Sequence, residues 1–189
     1  MITRDIDILK SMAKLNIVKV TFSFTTLNKK LARTLEPRAT TPLRRLNAIK
    51  KLSDAGIPTC VNFAPVIPTI NDHELEEILS QCVVAGAKEA NYILLRLPGE
   101  VSDLFKEWLQ LYYPRGYSRA LNRLREMHLG NNYNSSFWMR QTGSGPQAEI
   151  LKGRFVLAKK KLGIENTSVD LDLNLFRKPQ AHYVQLNLL

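Results

Sequence analysis

The strongest constraint on this chain is a hydrophobic period that switches between two and about 3.6 along its first hundred residues. Ile2, Ile6, Leu9 and Ala13 recur at helical spacing behind Thr3, a residue suited to cap a helix. Across residues 17–24, Val18, Val20, Phe22 and Phe24 alternate with Lys19, Thr21 and Ser23, which predicts a strand with one apolar face. Thr41-Pro42 opens the next helix, with Leu43, Leu46, Ile49 and Leu52 on its buried side and Gly56 after its end. A second strand is predicted over residues 57–65, with Val61 and Phe63 on one face and Asn62 and Ala64 on the other. Asn71 with Glu74 three residues later reads as a capping box for a third helix striped by Leu75, Ile78, Leu79, Cys82 and Val83. Residues 90–97 form the third predicted strand.

Strands joined through helices become parallel neighbours with right-handed crossovers. Ligands of such folds sit at the carboxyl ends of the strands, here residues 23–27, 64–71 and 96–100. Three parallel strands cannot close a barrel, so residues 1–100 read as a slice of a larger β/α sheet, and a missing N-terminal half is the expectation. Residues 101–189 read as a mainly helical C-terminal extension: helices over 101–113, 115–128 and 146–162, a polar loop over 130–145, and a weakly periodic tail.

No apolar run reaches membrane-spanning length and the N-terminus has no signal-peptide pattern, so the expectation is a cytoplasmic protein without a membrane partner. The net charge of +10 points to a polyanion such as nucleic acid. The basic residues read as scattered, with Lys159-Lys160-Lys161 the one short run, read as a solvated helix face ahead of a binding patch. The two cysteines, Cys60 and Cys82, are too far apart for a metal knuckle and read as buried small hydrophobes, and the three histidines, His73, His128 and His182, lie isolated. No metal ligand and no catalytic residue is assigned.

Several segments, in order, resemble one family. These are Val20-Thr21-Phe22-Ser23, the run Leu35-Glu36-Pro37-Arg38-Ala39-Thr40-Thr41-Pro42-Leu43-Arg44-Arg45, then Ala55-Gly56-Ile57-Pro58, Ala64-Pro65-Val66-Ile67-Pro68 and Tyr92-Ile93-Leu94-Leu95-Arg96-Leu97-Pro98. Tyr133, Ser135, Phe137, Arg140, Gly143, Gly145, Pro146 and Arg154-Phe155 continue the likeness. Together they resemble the spore photoproduct lyase branch, often labelled DNA repair photolyase-like, of the radical S-adenosylmethionine proteins. The resemblance implies an α/β fold, the C-terminal half of a partial (β/α)6 TIM-like barrel. It also implies S-adenosylmethionine and a [4Fe–4S] cluster as cofactors, with cluster ligands in a Cys-x3-Cys-x2-Cys loop that is not present in this sequence.

By that resemblance Ser23, Arg45, Ala64, Val66 and Ile67 would touch the nucleotide cofactor. Arg44 competes with Arg45 for the carboxylate, and a turn-bonding role competes for Ser23. Tyr92 and Arg96 become substrate-side candidates, although Glu100 or Glu36 would make Arg96 a structural ion pair. The Gly143-Ser144-Gly145-Pro146 turn suits an anion at a helix start or serves as a plain turn. Tyr133, Phe137, Trp138 and Arg140 suit either base stacking or packing of the extension. The leading expectation is therefore a fragment or truncated form of a radical enzyme, inactive alone for want of cluster cysteines. The competing one is a non-catalytic nucleotide- or nucleic-acid-binding remnant, or a partner complementing a separate N-terminal half. An ordinary β/α phosphate-binding domain would need a glycine-rich loop directly after a strand, and none is present.

Overall fold

The computed structural model describes residues 2–130, 141–164 and 168–177. Its centre is a three-stranded sheet of β1 (Val20–Phe24), β2 (Thr59–Val66) and β3 (Glu89–Leu94), all parallel, in the order β1-β2-β3. The helices are α1 (Ile6–Lys14), α2 (Lys29–Leu35), α3 (Pro42–Asp54), α4 (Leu75–Val84), α5 (Val101–Tyr112), α6 (Tyr117–Met127) and α7 (Pro146–Lys161). A three-stranded parallel α/β sheet followed by a helical portion is consistent with part of a barrel of the expected kind.

Register sets which side chains share a face. Phe22 lies beside Val61 and then Ala90, and Phe24 beside Phe63 and then Tyr92. This apolar face is covered by helices, and Phe24, Val61 and Phe63 are fully buried there with Ile49, Leu52, Leu75 and Ile78. Each such phenylalanine contributes about 2–3 kcal/mol through the area it removes from water. The same core runs on through Phe105, Leu109, Leu124, Leu151 and Phe155, so α5, α6 and α7 share it. Leu94 N–H donates to the Gln141 carbonyl at 2.7 Å, and the ring centroids of Tyr92 and Phe155 are 4.8 Å apart. Gly143 is required at this junction, because a Cβ there would come within 2.8 Å of both Leu94 Cδ2 and the Met127 carbonyl.

The elements depart from expectation at their ends. The first helix is split: Ile2–Arg4 make a 3₁₀ turn and α1 starts after Asp5, a residue that favours helix ends over interiors. The strand expected from residue 17 begins at Val20, because Ile17 N–H turns back to the Met12 carbonyl at the end of α1. Helix α2 was not expected at all. It is capped by Asn28, whose Oδ1 accepts from the N–H groups of Lys30 and Leu31 at 2.8 and 3.1 Å. Thr41 stands at the start of α3 with Pro42 behind it, but its side chain makes no cap bond. The expected capping box does not form: neither Asn71 nor Glu74 caps a helix by its side chain.

Candidate functional site

The second face of the sheet is built from the alternate residues: Thr21 and Ser23 of β1, Cys60, Asn62 and Ala64 of β2, and Glu89, Asn91 and Ile93 of β3. Register aligns them in two polar rows, Thr21–Cys60–Glu89 and Ser23–Asn62–Asn91. Thr21, Ser23 and Asn91 are exposed and Asn62 is half-buried. Parallel sheets ordinarily have both faces covered by apolar contacts. A polar, open face is therefore the feature that calls for a functional account.

In the first row Lys19 Nζ reaches across to Glu89 Oε2 at 2.8 Å. The hydrogen bond to Glu89 outweighs partial burial and pushes the Lys19 ammonium above its ordinary value. Burial, then the nearby Glu89 charge, pushes the Cys60 thiol up as well. In the second row Asn62 Oδ1 is buried without a hydrogen-bond partner. The row's central acceptor is thus unsatisfied, and such groups are few in native proteins.

At the carboxyl ends of β1 and β2 a set of side chains ties two loops together. Asn71 is completely buried; its Oδ1 accepts from Ile67 N–H at 2.6 Å and its Nδ2 donates to the carbonyls of Thr25 at 2.6 Å and Pro65 at 2.9 Å. The Glu74 carboxylate accepts from Thr26 Oγ1 and from Leu27 N–H, both at 2.6 Å. Thr25 Oγ1 donates to Glu36 at 3.0 Å. Sequence reasoning missed these roles because spacing within residues 71–74 carried a local signal while the partners lie about 46 positions earlier.

Arg45 belongs to the same framework. Its guanidinium donates to the Ser23 carbonyl at 2.6 Å and the Thr40 carbonyl at 3.0 Å, and pairs with Glu36 at 3.2 Å. Arg44, its competitor, is exposed. Val20 N–H donates to the Pro58 carbonyl, so the alternate residues Thr21 and Ser23 turn their backbone groups to the other edge of β1. Among the described residues no strand pairs with that edge. Beside it runs a groove of about 700 Å³ bordered by Thr21, Ser23, Glu36, Arg44, Arg45 and Lys51.

The remaining candidates divide. Ala64 is half-buried on the polar side, whereas Val66 and Ile67 are sealed in the core at 0% and 1% exposure, so the expected adenine-side trio does not form one surface. Tyr92 turns to the helical side, not to the open face; its hydroxyl is buried without a partner, and burial followed by the Glu149 charge holds its pKa above the ordinary value. It nevertheless borders a cavity of about 510 Å³ that also meets Thr21, Asn62, Asn91 and Gln141 around β3. Arg96 is half-buried beyond β3 and has no ion-pair partner among the described residues, while Glu36, one of its two expected partners, is held by Arg45. In the glycine turn before α7, Ser144 N–H donates to the Met127 carbonyl and is not free for an anion. Tyr133, Phe137, Trp138 and Arg140 lie outside the described residues, as does His182.

Cys60 and Cys82 are both buried, and burial raises the Cys82 thiol to about 12. Among the described residues no group of three or more His, Cys, Asp or Glu could hold a metal ion, and no helix is long and apolar enough to cross a membrane.

Uncharacterized proteins of Mycobacterium bovis and Mycobacterium tuberculosis are each 29% identical over 135 residues, which is 70% of this chain and 38% of theirs. An uncharacterized protein of Acidianus two-tailed virus is 35% identical over 68 residues, 36% of this chain and 22% of its own length. The chain thus spans 38% of the length of the mycobacterial relatives it matches. No solved structure matches. Residues 1–82, from the first helical turn to the last turn of α4 and so including β1, β2 and the clamp between their ends, match the Radical SAM superfamily.

Proposed function

We propose that this chain contributes the S-adenosylmethionine-binding side of a radical SAM-type site, with the polar Ser23–Asn62–Asn91 row as its floor. One observation carries the reading: a parallel sheet matched in part by that superfamily leaves one face polar, open and with the buried Asn62 Oδ1 unsatisfied. An adenosine moiety offers hydroxyl and amino donors that suit such an acceptor. Together the sulfonium nucleotide and an iron–sulfur cluster supply reductive cleavage and hydrogen-atom abstraction.

The chain's own residues fit the nucleotide and do not fit the cluster. A cluster needs accessible thiolates, and both cysteines here are buried with raised thiol pKa values. Ser23 and Asn62 hold the ligand's polar edge, and Ala64 offers it a small apolar contact. Arg45 acts through Ser23, fixing the end of β1 by its carbonyl. The spore photoproduct lyase branch, the six-unit barrel, and a complementary N-terminal half along the free edge of β1 are the finer forms of this reading. They are supported by the order of the matching segments along the sequence and by the edge of β1, where among the described residues no strand pairs with Thr21 and Ser23 and only the Ser23 carbonyl is taken, by Arg45.

Titration of the full chain with S-adenosylmethionine in a calorimeter tests the proposal. Saturable binding is expected, weakened about tenfold (about 1.4 kcal/mol) in Asn62→Ala. Absence of saturable binding up to millimolar ligand refutes it. The buried thiols favour a second reading, a nucleotide-binding module without redox chemistry. Incubation with iron and sulfide separates the two: a stoichiometric cluster absorbance supports redox chemistry, and a colourless protein that still binds the nucleotide supports the module.

A further inference from the structure

The basic residues are not scattered once the chain is folded. The stretch from α2 through α3, residues 29–54, carries eight Lys and Arg against two acids, Glu36 and Asp54. Both acids are already engaged, Glu36 by Arg45 and Asp54 by Lys50. Lys29, Lys30, Arg33, Arg38, Arg44 and Lys51 are exposed and have no ion-pair partner among the described residues. On other helices some cations are paired within a turn, as in Lys106–Asp103, Arg123–Glu126 and Lys152–Glu149.

Packing does not explain the imbalance. Lys29 and Arg33 sit four apart on the seven-residue α2, a like-charge spacing that works against the helix. Five of these cations, all but Arg38, line concave surfaces rather than a convex face. Lys29, Lys30 and Arg33 border a cleft of about 430 Å³ between α2 and the start of α3, floored by Ala32, Pro37, Ala39 and Pro42. Glu36, Thr40 and Arg45 form the wall it shares with the groove beside β1, where Arg44 and Lys51 stand. A cleft with low-dielectric walls focuses the potential of such charges outward.

We propose that this α2–α3 cleft binds the phosphodiester backbone of a nucleic-acid strand and leads it past the open face of the sheet. The extent of the charge favours a chain of phosphates over a single one. Arg44 and Lys51 alone are seven residues apart, about 10 Å along α3, and α2 forms the opposite wall. The concavity and the small Ala and Pro floor favour a strand over a lipid surface, which calls for a broad face with large apolar side chains. The partner extends the proposed function, but its test reads binding alone, so either reading can fail without the other.

Fluorescence anisotropy of the full chain with a labelled single-stranded 12-mer, across a salt series, tests it. The exposed triple variant Lys29→Gln/Lys30→Gln/Arg33→Gln is expected to bind at least tenfold more weakly, and its salt slope to fall by about 2. Arg44→Gln/Lys51→Gln is expected to weaken binding in the same sense, and Lys160→Gln/Lys161→Gln on α7 to change it less than twofold. Unchanged affinity in the triple variant, an equal loss in the α7 variant, displacement by equimolar inorganic phosphate, or tighter binding to phosphatidylserine vesicles each overturns the proposal.

Discussion

Replacing Asn71 by alanine tests whether its carboxamide holds the carboxyl ends of β1 and β2 together. The substitution removes three hydrogen bonds at once, from Ile67 N–H and to the carbonyls of Thr25 and Pro65. Ile67 and Thr25 are 1% and 2% exposed, so water does not readily replace the lost partners. A net loss of about 1 kcal/mol per bond, more for an orphaned buried N–H, gives about 3–4 kcal/mol in total. That is a large part of the roughly 5–15 kcal/mol available to a domain. Urea unfolding followed by circular dichroism and by tryptophan fluorescence measures it, with Trp108, bonded to the Thr34 carbonyl at 3.0 Å, as a probe near α2. Coincident transitions with an unchanged slope and a lowered midpoint are expected.

Asn71→Asp sharpens the test, because it preserves shape and the acceptor for Ile67 N–H while losing both donors. Its carboxylate would face two carbonyl oxygens in a buried site, so its folded pKa should rise above the unfolded value near 3.9. A raised pKa means that the native state binds more protons, so stability lost at neutral pH returns as pH falls through the folded value. The Asp variant should therefore be at least as damaged as the Ala variant at pH 7 and recover part of its deficit near pH 4. A cost below about 1 kcal/mol for Asn71→Ala, or an Asp variant indifferent to pH, refutes the assignment.

The Glu76 carboxyl is held below its usual value chiefly by the hydrogen bond from Arg154, and the pair is partly exposed. With the folded pKa depressed, the stability it adds is present above the unfolded value near 4.5 and disappears as pH falls through the folded one. Glu76→Gln should cost about 0.5 kcal/mol at pH 7 and nothing below about pH 3, and a constant cost across that range would contradict the pairing. Burial of Cys60 and Cys82, which raises both thiols, predicts that neither reacts with a disulfide reagent at pH 8 within minutes; Cys82, at about 12, is ionised in roughly one molecule in ten thousand at that pH. Both should be released in guanidinium; rapid native labelling of either would show an accessible thiol.

The order of strands and helices was legible because it is written in local periodicity. Phe22–Val61 and Phe24–Phe63 match across the sheet through the same alternation that appears along each strand. What stayed hidden depends on distant partners. Asn71 and Glu74 have the spacing of a cap, and only the folded chain shows that the Thr25–Leu27 loop competes for them. Arg45 was singled out as a ligand for a carboxylate, yet three protein oxygens already receive its guanidinium. Tyr92 and Arg96 share a parity, but β3 ends at Leu94, so parity stops governing before Arg96. Helix α2 escaped notice because its seven residues carry too few apolar positions to show a period.

The open face also limits what can cover it. An apolar helix laid over Ser23, Asn62 and Asn91 would strip water from their side chains and supply no partner, at a cost of the order of 1–3 kcal/mol for each group. The Asn62 Oδ1, already buried without a partner, would stay unsatisfied under such a cover. Whatever occupies the face must bring donors and acceptors in step with the two rows, as a nucleoside or an ordered layer of water can. The free edge of β1 makes a different demand, for backbone groups of another strand opposite Thr21 and Ser23. Arg45 already satisfies the Ser23 carbonyl, so such pairing can proceed from the Thr21 end without disturbing the clamp. The edge and the face therefore accept different partners, and filling one leaves the other available.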